Sequence, residues 1–221
     1  MALNPRIQLI HAVTAAKAPI VDAFQRLWPE AETEDLDDLS LPGDLARAGS
    51  LTGAFTERMA GLIARGVKAE ADAILFTCSA FGSAIGKARQ GVAIPVLKPD
   101  EAMIARALSL GSRIGGLATF APTVASLKSE LLAAAGAMEV EVEIDLRHVP
   151  GALDALNAGD GVEHDRLLAV AAQDMTDSDC LLLAQFSMVG AKEAIADVPG
   201  RPVLTAPDEA VMKLRDLLDA G

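Results

Sequence analysis

The chain has no tyrosine, one tryptophan and six phenylalanines, and its 19 basic residues are outnumbered by 31 acidic ones. A nucleic-acid surface needs basic patches and stacking rings, so a net charge of −12 argues against that class of partner. No apolar run reaches the length of a membrane span. The opening MALNPRIQLIHAV carries a single basic residue and no clear cleavage site, and it reads as a first strand, not as a signal peptide. Cys78 and Cys180 are the only cysteines. Two are too few for a disulfide framework, and the expected compartment is the reducing cytoplasm. Three scattered histidines offer no metal-ligand spacing with them. GSAIGKA at 82–88 has three residues between its glycines where a phosphate loop has four, and Ala88 stands where the magnesium hydroxyl would be. Gly111, Gly115 and Gly116 run into a strand and not out of one, unlike a dinucleotide fingerprint. No cofactor and no metal are expected.

What the chain does have is apolar material, 51 % of its residues, enough for a sizeable core. Strands are expected at 7–13, 73–77, 94–97, 114–119, 140–146, 181–184 and 202–205, with one more near 35–41. The acidic run EAETEDLDD at 30–38 reads as a solvated edge and loop. Helical spacing joins Ile20, Ala23, Phe24 and Leu27 after Pro19, and Phe55, Met59, Leu62 and Ile63. It returns in Val124, Leu127 and Leu131 after Pro122, with Gly136 as the expected stop, and in Val211, Leu214 and Leu218. Strands alternating with helices imply an α/β fold of parallel sheets covered by helices.

The pattern repeats. RIQLIHAV at 6–13 returns as RIGGLATF at 113–120, DAILFTCSAF at 72–81 as DCLLLAQFSM at 179–188, and PVL at 95–97 as PVL at 202–204, each 107 positions along. PDEAM at 99–103 returns as PDEAVM at 207–212, and LPG at 41–43 as VPG at 149–151. Ordered matches at one spacing predict an internal duplication. Two similar lobes related by a pseudo-twofold are expected, lobe one over 1–110 and lobe two over 111–206. The last helix, 207–221, is free to pack back on lobe one.

Ligands of parallel α/β sheets bind beyond the carboxyl ends of strands. Cys78 stands at such an end, just before a helix start, where backbone N–H groups favour anions and lower a thiol's pKa. The duplication puts Gln185 at the matching place. Cys180 falls inside an apolar strand and reads as core. His148 and His164 lie in polar, turn-like contexts and read as surface residues.

At these residues the chain resembles the aspartate/glutamate/hydantoin racemase superfamily, which includes maleate isomerase and arylmalonate decarboxylase. The resemblance rests on DAILFTCS followed by PVLKPDEAM and on the two-lobe repeat. It implies two flavodoxin-like lobes with an active-site cleft between them and a small carboxylate substrate. It also implies a cofactor-independent reaction, and a homo-oligomer by analogy. Paired cysteines would move a proton on opposite faces of one carbon. By position Cys78 is the first cysteine, and Ser79 and Ala80 match residues that hold the substrate carboxylate. Thr119, Thr123 and His11 fall on edges that border the cleft. In lobe two the resemblance leads one to expect Gly-Cys-Thr, but Ala184-Gln185-Phe186 stands there, with Ser187 the nearest hydroxyl. A glutamine amide does not titrate near neutral pH. Racemisation then needs another base, for which His11 is the best-placed group; it reads equally as a strand-end histidine hydrogen-bonded for packing. One-sided chemistry, decarboxylation among it, needs Cys78 alone, and a carboxylate-binding protein without turnover is the non-enzymatic alternative.

Overall fold

The computed structural model describes residues 4–196 and 201–220. Residues 1–3 of the opening segment and 221 of the last expected helix lie outside them. Eight strands among the described residues form two four-stranded sheets, parallel throughout. The first contains β1 (Arg6–His11), β2 (Glu32–Asp37), β3 (Ala73–Phe76) and β4 (Val96–Leu97) in the order β2-β1-β3-β4. The second contains β5 (Arg113–Ala118), β6 (Glu143–His148), β7 (Cys180–Leu183) and β8 (Val203–Thr205) in the order β6-β5-β7-β8. Ten helices of four or more residues run between and after them. They are α1 (Lys17–Leu27), α2 (Leu41–Ala48), α3 (Gly53–Lys68), α4 (Gly82–Ala88), α5 (Glu101–Leu110), α6 (Ala121–Ala137), α7 (Ala152–Asn157), α8 (Gly161–Gln173), α9 (Ala191–Ala196) and α10 (Ala206–Asp219).

The chain divides into two compact units. One holds the residues up to Ala102 and those from Ala210 onward; the other runs from Met103 to Glu209. Both divisions fall inside helices, α5 and α10. In the first unit β1 and β3 are apolar and buried, and Phe55, Met59, Leu62 and Ile63 of α3 pack on Ile10, Ile74, Phe76 and Ile85. In the second, Leu168 and Ala172 of α8 pack on Leu117, Leu181, Leu183 and Met188. Gly116 is in β5 because a Cβ there would lie 2.5 Å from a methyl of Leu146.

Several hydrogen bonds at the edges of the strands recur in both units. Arg6 N donates to Asp72 Oδ2 at 2.8 Å, and Arg113 N to Asp179 Oδ2 at 2.9 Å. Thr77 N reaches Ile10 O, and Ala184 N reaches Leu117 O, both at 3.0 Å. Ile74 N reaches Pro95 O, and Leu181 N reaches Pro202 O, both at 2.9 Å. Every atom in the second set is 107 positions from its counterpart.

Three expectations need correction. The acidic run is not a loop: Glu32–Asp37 is the edge strand β2, earlier than the 35–41 expected. Its alternation is masked because an edge strand buries one residue, Leu36, and puts charge elsewhere, a defence against strand-to-strand association. Gly136 does not stop α6, which runs to Ala137; the left-handed turn falls on Glu139 at φ 56°. His164 is not at the surface. It is 1 % exposed in α8, where the weak apolar periodicity of GVEHDRLLAV hides its inward position.

Candidate active site

In a sheet ordered 2-1-3-4, the chain leaves the first and third strands in opposite directions. Ligands of such sheets bind beyond the carboxyl ends of those two strands. In the first unit those ends are His11 and the Thr77-Cys78 pair; in the second they are Thr119 and Gln185.

Cys78 is extended (φ −126°, ψ 115°) and precedes one turn of 3-10 helix, Ser79–Phe81, which leads into α4. The side chain is half-buried and rests on the apolar cluster that includes Phe76, Phe81 and Ile85. Burial pushes the thiol above its usual range. The Ala80 N–H pulls the other way, and the charge of Asp100 adds to the rise. The lowering expected from a helix start does not prevail, because one N–H of a single turn is outweighed by desolvation. At neutral pH the group is therefore S–H, a proton donor. Ser79 is half-buried beside it and Ala80 exposed. Cys180 lies wholly buried in β7, pushed up to about 11 by burial.

His11 is 0 % exposed. Its Nδ1 is 2.9 Å from Thr77 Oγ1 and its Nε2 is 3.1 Å from Asp35 Oδ1. Burial alone would raise Asp35, but hydrogen bonds from His11 and Lys17 bring it below the usual range, so it is a carboxylate. A carboxylate only accepts, so Nε2 carries the hydrogen and Nδ1 accepts the Thr77 hydroxyl. Burial lowers the His11 pKa and keeps the ring neutral. Both nitrogens are engaged inside the unit, and the ring supports Thr77, the residue before Cys78.

In the second unit Gln185 has the conformation of Cys78 (φ −135°, ψ 145°) and likewise precedes one 3-10 turn, Phe186–Met188. Its Oε1 accepts from Thr119 N at 2.7 Å and lies 3.3 Å from Thr119 Oγ1. A backbone N–H can only donate, so the amide oxygen must face it and the NH2 end is left for other partners. Thr119 is buried, Phe186 is buried, and Ser187 and Thr123 are half-buried at the same edge. Phe120, at the head of α6, is 51 % exposed. His148 Nε2 lies 3.3 Å from Thr119 O.

Sequence reading missed three buried carboxyl groups at the starts of α5 and α10: Asp100, Asp208 and Glu209. The repeated PDE was the signal. Lys192 Nζ lies 2.6 Å from Asp208 Oδ2. Among the described residues no group of three or more His, Cys, Asp or Glu side chains is placed to hold a metal ion, and no helix is long and apolar enough to cross a membrane.

The sequence model described as Asp/Glu/Hydantoin racemase matches residues 42–214. This chain belongs to the Asp/Glu/hydantoin racemase family. No curated protein matches it. Among solved structures it is similar to an allantoin racemase from Klebsiella pneumoniae, with a TM-score of 0.71, 21 % identity, and 99 % of this chain and 89 % of that one covered. It is similar to an arylmalonate decarboxylase at 0.70 and 18 %, covering 98 % of this chain and 94 % of that one. A glutamate racemase from Bacillus anthracis follows at 0.68 and 14 %, covering 99 % and 83 %. At such identities these likenesses carry the fold, and the two parallel four-stranded sheets are that fold. Family membership places this chain among the racemase-related proteins.

Proposed function

We propose that this chain is a cofactor-independent enzyme that transfers a proton at the carbon beside a carboxylate, with Cys78 as the acid. The observation that carries the reading is the half-buried thiol at the switch point of the first sheet, kept as S–H by its surroundings. Ser79 and Ala80, on the turn that follows, offer a hydroxyl and backbone N–H groups to a carboxylate. His11 is assigned a positioning role behind Thr77 and not that of a second base, since its ring is closed to solvent. The substrate is a small carboxylate; the family supports racemisation or isomerisation at first, and that reaction needs a base to take the α-proton in addition to the Cys78 acid that returns one.

The Gln185 amide favours a second reading, decarboxylation of a substituted malonate. Thr119 holds its oxygen, and an amide supplies no titrating group where the duplication would put the second cysteine. In decarboxylation the C–CO2 bond breaks and its electron pair stays on carbon as an enediolate. The Cys78 proton then goes to that carbon, and the thiolate takes a proton from water. One acid suffices.

Proton NMR in deuterium oxide with panels of amino acids, hydantoins and substituted malonates separates the readings. Deuterium entry at the α-carbon with loss of optical activity identifies racemisation. Release of carbon dioxide with one deuterium incorporated identifies decarboxylation. Cys78→Ala is expected to lower either rate by at least about a thousandfold, while ligand binding by calorimetry changes little. A wild type that binds a carboxylate and never turns it over would overturn both and leave a binding protein.

A further inference from the structure

In each unit a side-chain hydrogen bond joins the carboxyl end of the first strand to that of the third. In the first unit it joins His11 Nδ1 to Thr77 Oγ1 at 2.9 Å. In the second it joins Thr119 to Gln185, which are also 66 residues apart. These two links are not counterparts. Ala118 and Ala184 stand 107 positions after His11 and Thr77, and Ala12 and Cys78 stand 107 positions before Thr119 and Gln185. The link has moved one residue along. Cys78 and Gln185 are extended, and successive side chains of extended chain face opposite ways. In the first unit, therefore, the link leaves the Cys78 side chain out. In the second it takes in the side chain at the matching place.

Only one end of that side chain is used. Gln185 Oε1 accepts from Thr119 N at 2.7 Å and lies 3.3 Å from Thr119 Oγ1. The Nε2 end, with two hydrogens to donate, has no acceptor among the described residues. The Thr119 carbonyl is engaged elsewhere, with His148 Nε2 at 3.3 Å. A surface glutamine ordinarily keeps its rotamer freedom. This one is half-buried and held by a residue that is 2 % exposed, so the direction of its NH2 group is set before any ligand arrives. Phe120, the residue after Thr119, is 51 % exposed, and the edge is not sealed by packing there.

We propose that Gln185 is a binding residue whose NH2 group donates to an acceptor oxygen of the ligand at the carboxyl end of the second sheet. The class of group it takes follows from how it is held. With its oxygen turned to the Thr119 N–H, the free end can only donate. A carboxylate or carbonyl oxygen fits it, whereas an ammonium group, which also only donates, does not. The duplicated position thus carries an acid in one unit and a fixed donor in the other. The inference rests on the proposed function only in taking the ligand as a carboxylate.

The test is to follow the side-chain amide signals of the 15N-labelled protein by NMR while adding sodium acetate, malonate or succinate, with methylammonium chloride as the donor-only control. Gln185→Met identifies the signal by removing it. The Gln185 NH2 signal is expected to move and saturate with at least one carboxylate, and to stay still with methylammonium. The Gln8 NH2 signal is expected not to move, because its Nε2 already donates to Glu34 O at 2.7 Å. Gln185→Met is expected to weaken binding of that carboxylate by about tenfold or more in calorimetry. Should Gln185→Met be insoluble, Gln185→Glu keeps an oxygen for the Thr119 N–H, and its loss of binding decides in the same way. A Gln185 signal that no carboxylate moves overturns the inference, even in a protein that turns a substrate over. A signal that moves in a protein with no turnover upholds the Gln185 contact and sinks only the catalytic reading.

Discussion

At the scale of single residues, the most constrained side chain is His11. It is fully buried, with Thr77 on one nitrogen and Asp35 on the other. His11→Leu would remove the bond to Thr77, whose hydroxyl keeps Ile10 O at 3.3 Å, and the charge-assisted bond to Asp35, at a cost of about 2–4 kcal/mol in denaturant unfolding. The pH dependence follows from the lowered pKa. The unfolded ring titrates near 6.5 while the folded ring titrates below it, so the unfolded state binds the extra proton first. The stability from neutral His11 is present above about pH 6.5 and is lost as the pH falls through that value toward the folded pKa. His11→Leu should therefore flatten the stability profile between about pH 7.5 and 5, a change read from urea midpoints across that range. An equal slope in both proteins would show that His11 is not the group titrating there. Sequence alone could not choose between the catalytic and packing readings of this residue. The choice depends on Asp35 and Thr77, which reach it from other strands.

At the scale of elements, the buried strands were legible because each is a short apolar run that ends in small or polar residues. AILF of β3 falls within the expected 73–77, and CLLL of β7 begins one residue before the expected 181–184. The edge strand β2 was not, since ETEDLD buries only Leu36, and most of its charged side chains face solvent. The first turn of α10 hid its chemistry in another way. In α5 Glu101 accepts from Lys98 N at 2.9 Å and pairs with Arg89 at 2.7 Å, a cap plus an ion pair. One inserted residue in the second copy gives the capping bond to Thr205, whose Oγ1 accepts from Asp208 N at 3.3 Å. Glu209, 8 % exposed, is left with no hydrogen bond or ion pair among the described residues. Burial raises its pKa against the pull of Arg106 and Lys192. Its folded pKa lies above the unfolded one, so ionisation at neutral pH works against folding and this penalty disappears once the group is protonated. Glu209→Gln should thus raise the melting temperature near pH 7 by a few degrees, with the gain vanishing below about pH 4.5. A variant that is less stable at pH 7 would mean that the carboxylate is held by its two cationic neighbours after all.

At the scale of the whole molecule, the duplication is the feature sequence shows most fully. Matched segments recur as matched hydrogen bonds, and at the carboxyl ends of the matched strands the residues differ: Cys78 against Gln185, His11 against Ala118. That is where core packing stops dictating residue type, and it is why the positions of the candidate site could be read while the partners of each group could not. Net charge is the other global property. With 31 acidic residues against 19 basic, repulsion between like charges exceeds what exposed ion pairs such as Arg6–Glu34, Arg26–Asp22 and Arg166–Glu163 return. Added salt weakens both, but the excess is repulsive, so raising sodium chloride from about 0.02 to 0.5 M at pH 8 should increase the melting temperature by a few degrees. Near the isoelectric point of about 4.6 the repulsion is gone and the same salt step should do nothing or slightly harm. Below that, Asp44 beside Arg58, Glu163 beside Arg166 and Asp179 against the Arg113 N–H, all held below the usual carboxylate range, lose their contributions as they protonate. A melting temperature at pH 8 that falls with salt would mean that the ion pairs, and not the excess of negative charge, dominate the electrostatics of this chain.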